Sequence, residues 1–220
     1  MGPKDPEQEA VARNVAAVLM AQQIRQIGQV HVQTILTEIG ALAGFAAQMS
    51  IRKSVIEPQG LDPSSILVEV LSKDGDKYYF SELLNWILFE NTTEPPYSIW
   101  VHVSAAVPED NRSLLPDVHE IVSNAARTVG TPRFGIPRLP AEHRPHKLPR
   151  AALDDDWRLV RDVLSACARD PADWPYDLAV AAQWQMFTSR DTLAAAIGAT
   201  IVMEAAIPMS KVDPTTVRGT

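Results

Sequence analysis

The stretch VQTILTEIGALAGFAAQMS, residues 32–50, decides the fold class of this chain of 220 residues. Apolar residues recur along it at intervals of three and four positions, at Val32, Ile35, Ile39, Leu42, Ala46 and Met49. This spacing puts them on one stripe of an α-helix, whereas a strand would alternate at every second residue. The sequence therefore predicts a long amphipathic helix here and a mainly helical protein around it.

The same stretch carries small side chains at Gly40 and Gly44, each close to an alanine. Small residues four positions apart allow a second helix backbone to approach closely. The pattern favours a tight crossing within the chain, and a contact between two copies of the chain is the alternative.

A weaker helical pattern precedes this stretch, with apolar residues at Val11, Val15, Val18 and Ile24. Gly28 lies between the two patterns. We expect residues 1–53 to form an N-terminal helical pair, in which Gly28 either separates two helices or bends a single long one.

A β-hairpin is predicted at about residues 66–80. The segments ILVEVL at 66–71 and KYYF at 77–80 are rich in β-branched and aromatic residues. Asp74-Gly75 lies between them, and both residues tolerate the positive φ that a tight hairpin turn requires. Because an isolated hairpin is marginal in water, we expect it to pack on the helices.

The remaining chain reads as further helices. Ser81 is a suitable N-cap for a helix through Glu90, whose apolar residues on most sides indicate a central position. Residues 97–107 alternate like a strand but follow Pro96, a favoured first helical residue, so that a helix is preferred and a strand stays open. Helical patterns also cover 114–129, 154–167, 176–187 and 191–207, the last one ending before Pro208. The predicted fold is a single mainly α-helical, bundle-like domain over 1–220.

The segment TPRFGIPRLPAEHRPHKLPR, residues 131–150, which we call the strap, contrasts with the rest of the chain. It carries a net charge of +4 in a chain of −7, so the other residues carry −11. Its five prolines exclude a helix and favour extended backbone. We therefore predict a long proline-rich crossover loop that lays apolar side chains on the protein and keeps its arginines outward.

Three roles for the strap stay open at this point. It is a structural connection, or it binds an acidic protein partner or a second copy of the chain, or it holds an anion. In the last case Arg133, Arg138 and Arg144 would converge on a phosphate or carboxylate, which suits the fork of the guanidinium group. Asp154–Asp156 is expected to cap the helix that follows.

Polar residues inside apolar stretches mark a possible pocket. Glu204 interrupts the run IVMEAAI, and we expect it on an exposed polar stripe, with a buried arginine pair as the alternative. Gln48, Asn85 and Gln183 interrupt apolar runs in the same way and are candidates to line a pocket with Glu204.

The sequence contains no glycine-rich phosphate loop, nucleophile elbow or recognisable metal motif. His143 and His146 are only a weak metal signal, because a structural zinc site requires four ligands at characteristic spacings. We predict no metal and no cofactor, and whether the protein is an enzyme stays open.

The net charge and the cysteine content restrict the expected binding partners and cellular location. The net charge of −7 argues against general nucleic-acid binding. Cys167, the single cysteine, cannot form an internal disulfide and is expected to be a buried structural thiol in a reducing cytoplasm. The longest apolar runs, 39–47 and 193–203, are shorter than the ~18 residues of a membrane span.

These observations favour a binding or assembly protein that forms a homodimer through helix faces and the strap. The alternative is an enzyme or small-ligand sensor with a pocket for an anionic small molecule. That pocket would lie near Gln48, Asn85 and Glu204, within reach of Arg133 or Arg138.

Overall fold

A computed structural model describes residues 6–90 and 95–220 of the chain. It confirms a mainly helical fold with one small hairpin. The helices are α1 (Pro6–Ile27), α2 (Val32–Ile51), α3 (Glu82–Leu88), α4 (Ile99–Ala105), α5 (Val118–Thr128), α6 (Pro149–Ala166), α7 (Trp174–Thr188) and α8 (Ala195–Met209). The strands are β1 (Val68–Leu71) and β2 (Lys77–Phe80).

Helix α2 is the central element, and its surroundings explain why its sequence is so apolar. Every residue from Thr34 to Ile51 is buried, because α6, α7 and α8 pack around the helix. The predicted single stripe is therefore too narrow, since α2 contacts neighbours on all sides. A π-helical turn, Arg52–Ile56, and a last turn, Glu57–Gln59, extend α2 to Gly60, whose φ of 60° ends it.

The glycines of α2 form a tight crossing with α8, which confirms the predicted contact within the chain. A Cβ atom on Gly40 would lie 2.6 Å from the carbonyl oxygen of Val202, and one on Gly44 would overlap the carbonyl of Ala206. The two helix backbones are close enough that only glycine fits at these positions.

The N-terminal region forms two helices. Helix α1 ends at Ile27, Gly28 adopts a φ of 76°, and α2 begins at Val32. Val11 and Val15 lie in the core, but Ile24 is 53% exposed, because the buried face of α1 continues through Leu19 and Gln23 instead.

The hairpin has the predicted position and turn. Val68 pairs with Phe80 and Leu71 with Lys77 in an antiparallel register. Gly75 supplies the positive φ of the turn, 88°. On its other side, β2 contacts the chain after α8, where Tyr79 donates its N–H to the carbonyl of Lys211 over 2.9 Å.

Several predicted elements need correction. Helix α3 is not central, because Leu83 and Trp86 are exposed. Helix α6 begins at Pro149, within the strap as defined above, so Asp154–Asp156 lies one turn inside the helix and does not cap it. Helix α8 continues through Pro208 to Met209, so the proline lies in its last turn and not beyond its end. Within residues 97–107, Ile99–Ala105 forms a helix, α4, as preferred over a strand.

One helix among the described residues, Val32–Gln59, is long and apolar enough to span a membrane by length and composition. The apolar window of this helix is completely buried inside the protein. The core helix of a folded domain passes the same test, so this finding does not indicate a membrane.

Candidate functional sites

Two residues of the strap pair with buried carboxylates, and the first is Arg138. Its Nε donates to Oε1 of Glu204 over 3.0 Å, and its Nη1 donates to Glu120 on α5. The expectation of an exposed Glu204 is wrong, since its side chain is only 6% exposed. Burial raises the pKa of Glu204, and the neighbouring Arg138 guanidinium opposes this rise.

The second anchor is Lys147, which binds two buried carboxylates. Its Nζ lies 2.9 Å from Glu38 on α2 and 2.9 Å from Asp156 on α6. Gln23 donates to the other oxygen of Glu38 over 3.1 Å, and Gln22 donates to Asp156 over 2.9 Å. The cluster therefore joins α1, α2, α6 and the strap in one polar contact.

Burial and pairing act against each other in this cluster. Burial raises the pKa of Glu38 and of Asp156, and the hydrogen bond from Lys147 opposes both rises. Burial also acts to lower the pKa of Lys147, but its bonds to Asp156 and Glu38 outweigh this effect and the pKa is raised. Lys147 already binds two buried carboxylates of the protein itself, so it is not free for an outside ligand and the cluster acts as a structural anchor.

Two histidines lie beside this anchor. The rings of His31 and His146 stack at 3.9 Å and are nearly parallel. Thr34 joins them, since its Oγ1 lies 2.8 Å from Nδ1 of His31 and accepts the backbone N–H of His146. In the described part of the chain no three His, Cys, Asp or Glu side chains are arranged to hold a metal, so the weak signal from His143 and His146 has no geometric support.

The other predicted anion ligands do not join Arg138. Arg133 and Arg144 are exposed, and neither forms an ion pair with a residue that the structure describes. Arg138 already binds two carboxylates of the protein itself. The three arginines therefore do not share a site in this structure, and their joint binding of one anion stays a prediction.

The predicted pocket at Gln48, Asn85 and Glu204 also separates into unrelated places. Gln48 is buried and donates to the carbonyls of Ser210 and Val212 over 2.8 and 3.2 Å. The cavity beside Glu204 has a volume of about 10 Å³, enough for one water molecule, and neither Gln48 nor Asn85 lines it. Gln48 holds the end of α8 to α2, and Asn85 is a half-buried residue of α3.

An exposed apolar surface lies on the hairpin, which sequence reasoning missed. Val68 and Leu71 are each 62% exposed, and Val70 is 38% exposed. The helix that follows the hairpin exposes Leu83 and Trp86, which lie one turn apart on α3. The available signal was the composition of β1, since a strand with apolar residues at almost every position has apolar side chains on both faces.

The backbone of β1 is also unpaired on its outer side. Tyr79 directs its N–H away from β1, toward Lys211. Tyr79 is paired with Glu69, and in an antiparallel ladder both residues of such a pair direct their backbone groups away from each other. Glu69 therefore directs its N–H and C=O away from β2, and so does Leu71, two residues later. No described residue forms a backbone hydrogen bond with this outer edge. The side chain of Glu69 is bound by Lys77 and by the hydroxyl of Tyr79.

Lys211 is a buried cation without a carboxylate partner among the described residues. The residue is 3% exposed, and its Nζ lies 5.2 Å from the centre of the Phe80 ring. Burial lowers the pKa of Lys211 to about 8. This lysine therefore loses its proton far more easily than an exposed one.

Comparison with known protein families, with curated proteins and with solved structures finds no match to this chain. Its function is therefore argued from its own residues alone.

Proposed function

We propose that this protein is a binding and assembly protein that forms a homodimer through the outer edge of β1. The observation that carries the proposal is an unpaired strand edge with exposed apolar side chains at Val68, Val70 and Leu71. Such an edge is a template for strand pairing unless it is protected by charge, proline or a covering segment. Within the described chain, β1 has none of these protections except the single charge of Glu69.

Among the symmetric registers, only the one centred on Val70 pairs both outward-facing residues of β1 with outward-facing residues of β1 in a second copy. Glu69 and Leu71 offer their N–H and C=O groups, so antiparallel pairing places Glu69 opposite Leu71 of a second copy. Val70 then faces its own symmetry mate at the centre. In this register all outward N–H and C=O groups of Glu69 and Leu71 are satisfied, and a four-stranded sheet results.

Charge also favours this register over its neighbour. A pair centred on Glu69 would place two carboxylates directly opposite each other, which is destabilising. A pair centred on Val70 separates them and places an apolar residue against each. The edge is therefore compatible with a copy of itself.

Strand pairing alone would bury too little area for a stable dimer, which requires roughly 800 Å² from each partner. Leu83 and Trp86 on α3 are the nearest exposed apolar residues along the chain and supply the additional contact in our proposal. Tryptophan is among the residues that contribute most to interface energy.

The test is the mass in solution by light scattering after size exclusion, over a range of concentrations. Wild type should be a dimer that dissociates on dilution. Leu71→Pro should be monomeric and folded, because it removes an outward N–H and leaves the β1–β2 ladder intact. Val70→Lys should also be monomeric. Leu114→Lys is the matched control, since Leu114 is 66% exposed outside this surface.

A wild type that stays monomeric at every concentration would overturn the proposal, and so would a Leu71→Pro variant that remains dimeric.

We also propose that the protein works in a reducing cytoplasm, which the single cysteine supports. Cys167 is half-buried and accepts a long hydrogen bond from Asn14. An acidic protein bound by the strap is a further proposal, supported by the exposed side chains of Arg133 and Arg144.

A further inference from the structure

A large pocket lies away from Glu204, and Gln183 is the only predicted pocket residue that lines it. The pocket lies between the end of α4, the second half of α7 and the first residue of α8, and has a volume of about 630 Å³. Pockets for small molecules have volumes of roughly 300–1,000 Å³. The cavity beside Glu204 is far smaller, so this pocket is the better candidate for a ligand.

The walls of the pocket are mainly apolar. They are formed by Val107, Pro108, Trp184, Met186, Phe187 and Ala195. Phe187 is 63% exposed, although it is a large aromatic residue on a helix whose other apolar residues are mostly buried. An aromatic ring that remains exposed at the mouth of an apolar pocket offers a stacking surface to a flat or aliphatic ligand.

The polar side chains of the pocket differ in whether they already bind another residue of the protein. Glu9 is paired with Arg13 on its own helix at 3.4 Å. The side chain of Gln183 lies near that of His102 and acts to raise the histidine pKa, which burial lowers. Arg190 lies over the Phe187 ring, 4.4 Å from its centre, and forms no ion pair within the described chain.

Arg190 is therefore the pocket's unneutralised charge among the described residues, and it is positive in a chain of net charge −7. The contact with the Phe187 ring holds the guanidinium beside the pocket, and no ion pair within the described chain uses its N–H donors. A guanidinium presents parallel N–H donors that match the two oxygens of a carboxylate.

We propose that this pocket binds an amphipathic carboxylate, with its apolar body between Trp184 and Phe187 and its carboxylate at Arg190. Gln183 supplies one more hydrogen bond inside the pocket. The ligand is thus an aromatic or medium-chain aliphatic carboxylic acid. This site is independent of the β1 edge, and a monomeric Leu71→Pro variant should bind the same ligand.

The experiment compares acids with matched neutral molecules by isothermal titration calorimetry. The probes are 2-naphthoate and decanoate, each paired with its alcohol, 2-naphthalenemethanol and 1-decanol. The acids should bind about 10–100-fold more tightly than the alcohols, since a hydrogen bond to a charged group contributes that much affinity. Arg190→Gln should remove this preference and leave binding of the alcohols unchanged.

Two further variants test whether the probes bind inside the pocket. Ala195→Trp fills the pocket and should abolish binding of acids and alcohols alike, with the fold checked by circular dichroism. Arg133→Gln is the matched control, because Arg133 is an exposed arginine of the strap without an ion pair in the described chain. The proposal is overturned if no probe binds, if acids and alcohols bind equally, or if Arg133→Gln weakens binding as much as Arg190→Gln.

Discussion

At the scale of single residues, Lys211 is the charge with the least compensation in the described chain. We expect Lys211→Met to raise the free energy of unfolding at pH 7 by about 1–3 kcal/mol, because it removes a buried ammonium without a carboxylate partner. The gain depends on pH through the lowered pKa. Between pH 8 and 10.5 the unfolded lysine holds a proton that the native one has lost, so wild-type stability rises with pH across this range.

Urea unfolding at pH 7, 9 and 10.5 measures this effect. The advantage of Lys211→Met should shrink as the pH rises from 8 and should nearly vanish at 10.5. Lys73→Met is the control, since Lys73 is exposed in the hairpin turn and should show no such trend. A stabilisation that is equal at all three pH values would show that Lys211 is not the titrating group.

Lys147 represents the opposite case, a buried cation that is fully paired. We expect Lys147→Met to destabilise the protein by about 3–5 kcal/mol at pH 7, because Glu38 and Asp156 would remain buried and uncompensated. Lowering the pH should reduce this loss. Both carboxyls have raised pKa values, so the native variant takes up protons and loses its unpaired charges.

Chemical unfolding at pH 7 and pH 4 checks this prediction. The control is Lys53→Met, which breaks a surface pair with Glu57 and should cost less than about 1 kcal/mol. Equal losses for the two variants would show that the Lys147 cluster does not anchor the strap.

These anchors show what a sequence can and cannot reveal about single residues. Glu204 was visible as a polar residue in an apolar run, but its burial depends on Arg138, which lies 66 positions earlier. Glu38 gave the same local signal and was not recognised. Sequence patterns report the surroundings along a helix, whereas the partner of a buried charge comes from a distant part of the chain.

At the scale of elements, the α2–α8 crossing is the contact that limits side-chain size most strictly. We expect Gly44→Ala to destabilise the protein by several kcal/mol, about 3 or more, because the new Cβ would meet rigid backbone at Ala206. Gly198→Ala is the matched control. Its Cβ would lie 3.1 Å from Cγ of Met186, a flexible side chain that can move aside, so the loss should be much smaller.

Thermal and urea unfolding of both variants would decide this point. Similar stabilities for Gly44→Ala and Gly198→Ala would mean that α2 and α8 are not in backbone contact. The crossing itself was predictable from small residues four positions apart, but its partner helix was not, since the small residues of α8 show no equally clear spacing.

Local patterns also predicted the hairpin and failed for α3. The hairpin depends on a turn and two adjacent strands, which lie within 13 residues and are therefore visible in sequence. Helix α3 is apolar on several sides, and such a helix is expected in the core. Its exposed residues Leu83 and Trp86 become understandable if a second copy covers them, as our dimer proposal requires.

At the scale of the whole molecule, the strap connects regions that are far apart in sequence. Its predicted extended backbone is present, with one short helical turn at Ala141–His143, and Leu139 is buried while Phe134 packs on Tyr78. Its length and prolines predicted its course over the surface. The pairing of Arg138 and Lys147 with buried carboxylates was not predictable, since charge counting alone places arginines and lysines in solvent.

The arrangement of the helices predicts that the described chain unfolds as one unit. Helix α1 packs on α6 and α7, while α8, near the other end of the chain, packs on α2. Neither helix can leave without exposing the core that the other shares, so the described chain should behave as one domain with a two-state transition. Trp157 reports on this core because it is fully buried and contacts Phe45 edge to face at 4.8 Å.

The measurement compares urea unfolding followed by circular dichroism with unfolding followed by tryptophan fluorescence. Changing Trp86, Trp100 and Trp184 to Phe leaves Trp157 and Trp174 as the reporters, both of them buried. The two curves should coincide in midpoint and slope, at a protein concentration low enough to keep the chain monomeric. If the helical signal were lost in two steps, with the fluorescence following only one of them, the chain would contain two independent units. The α2–α8 crossing would then not couple the ends of the chain.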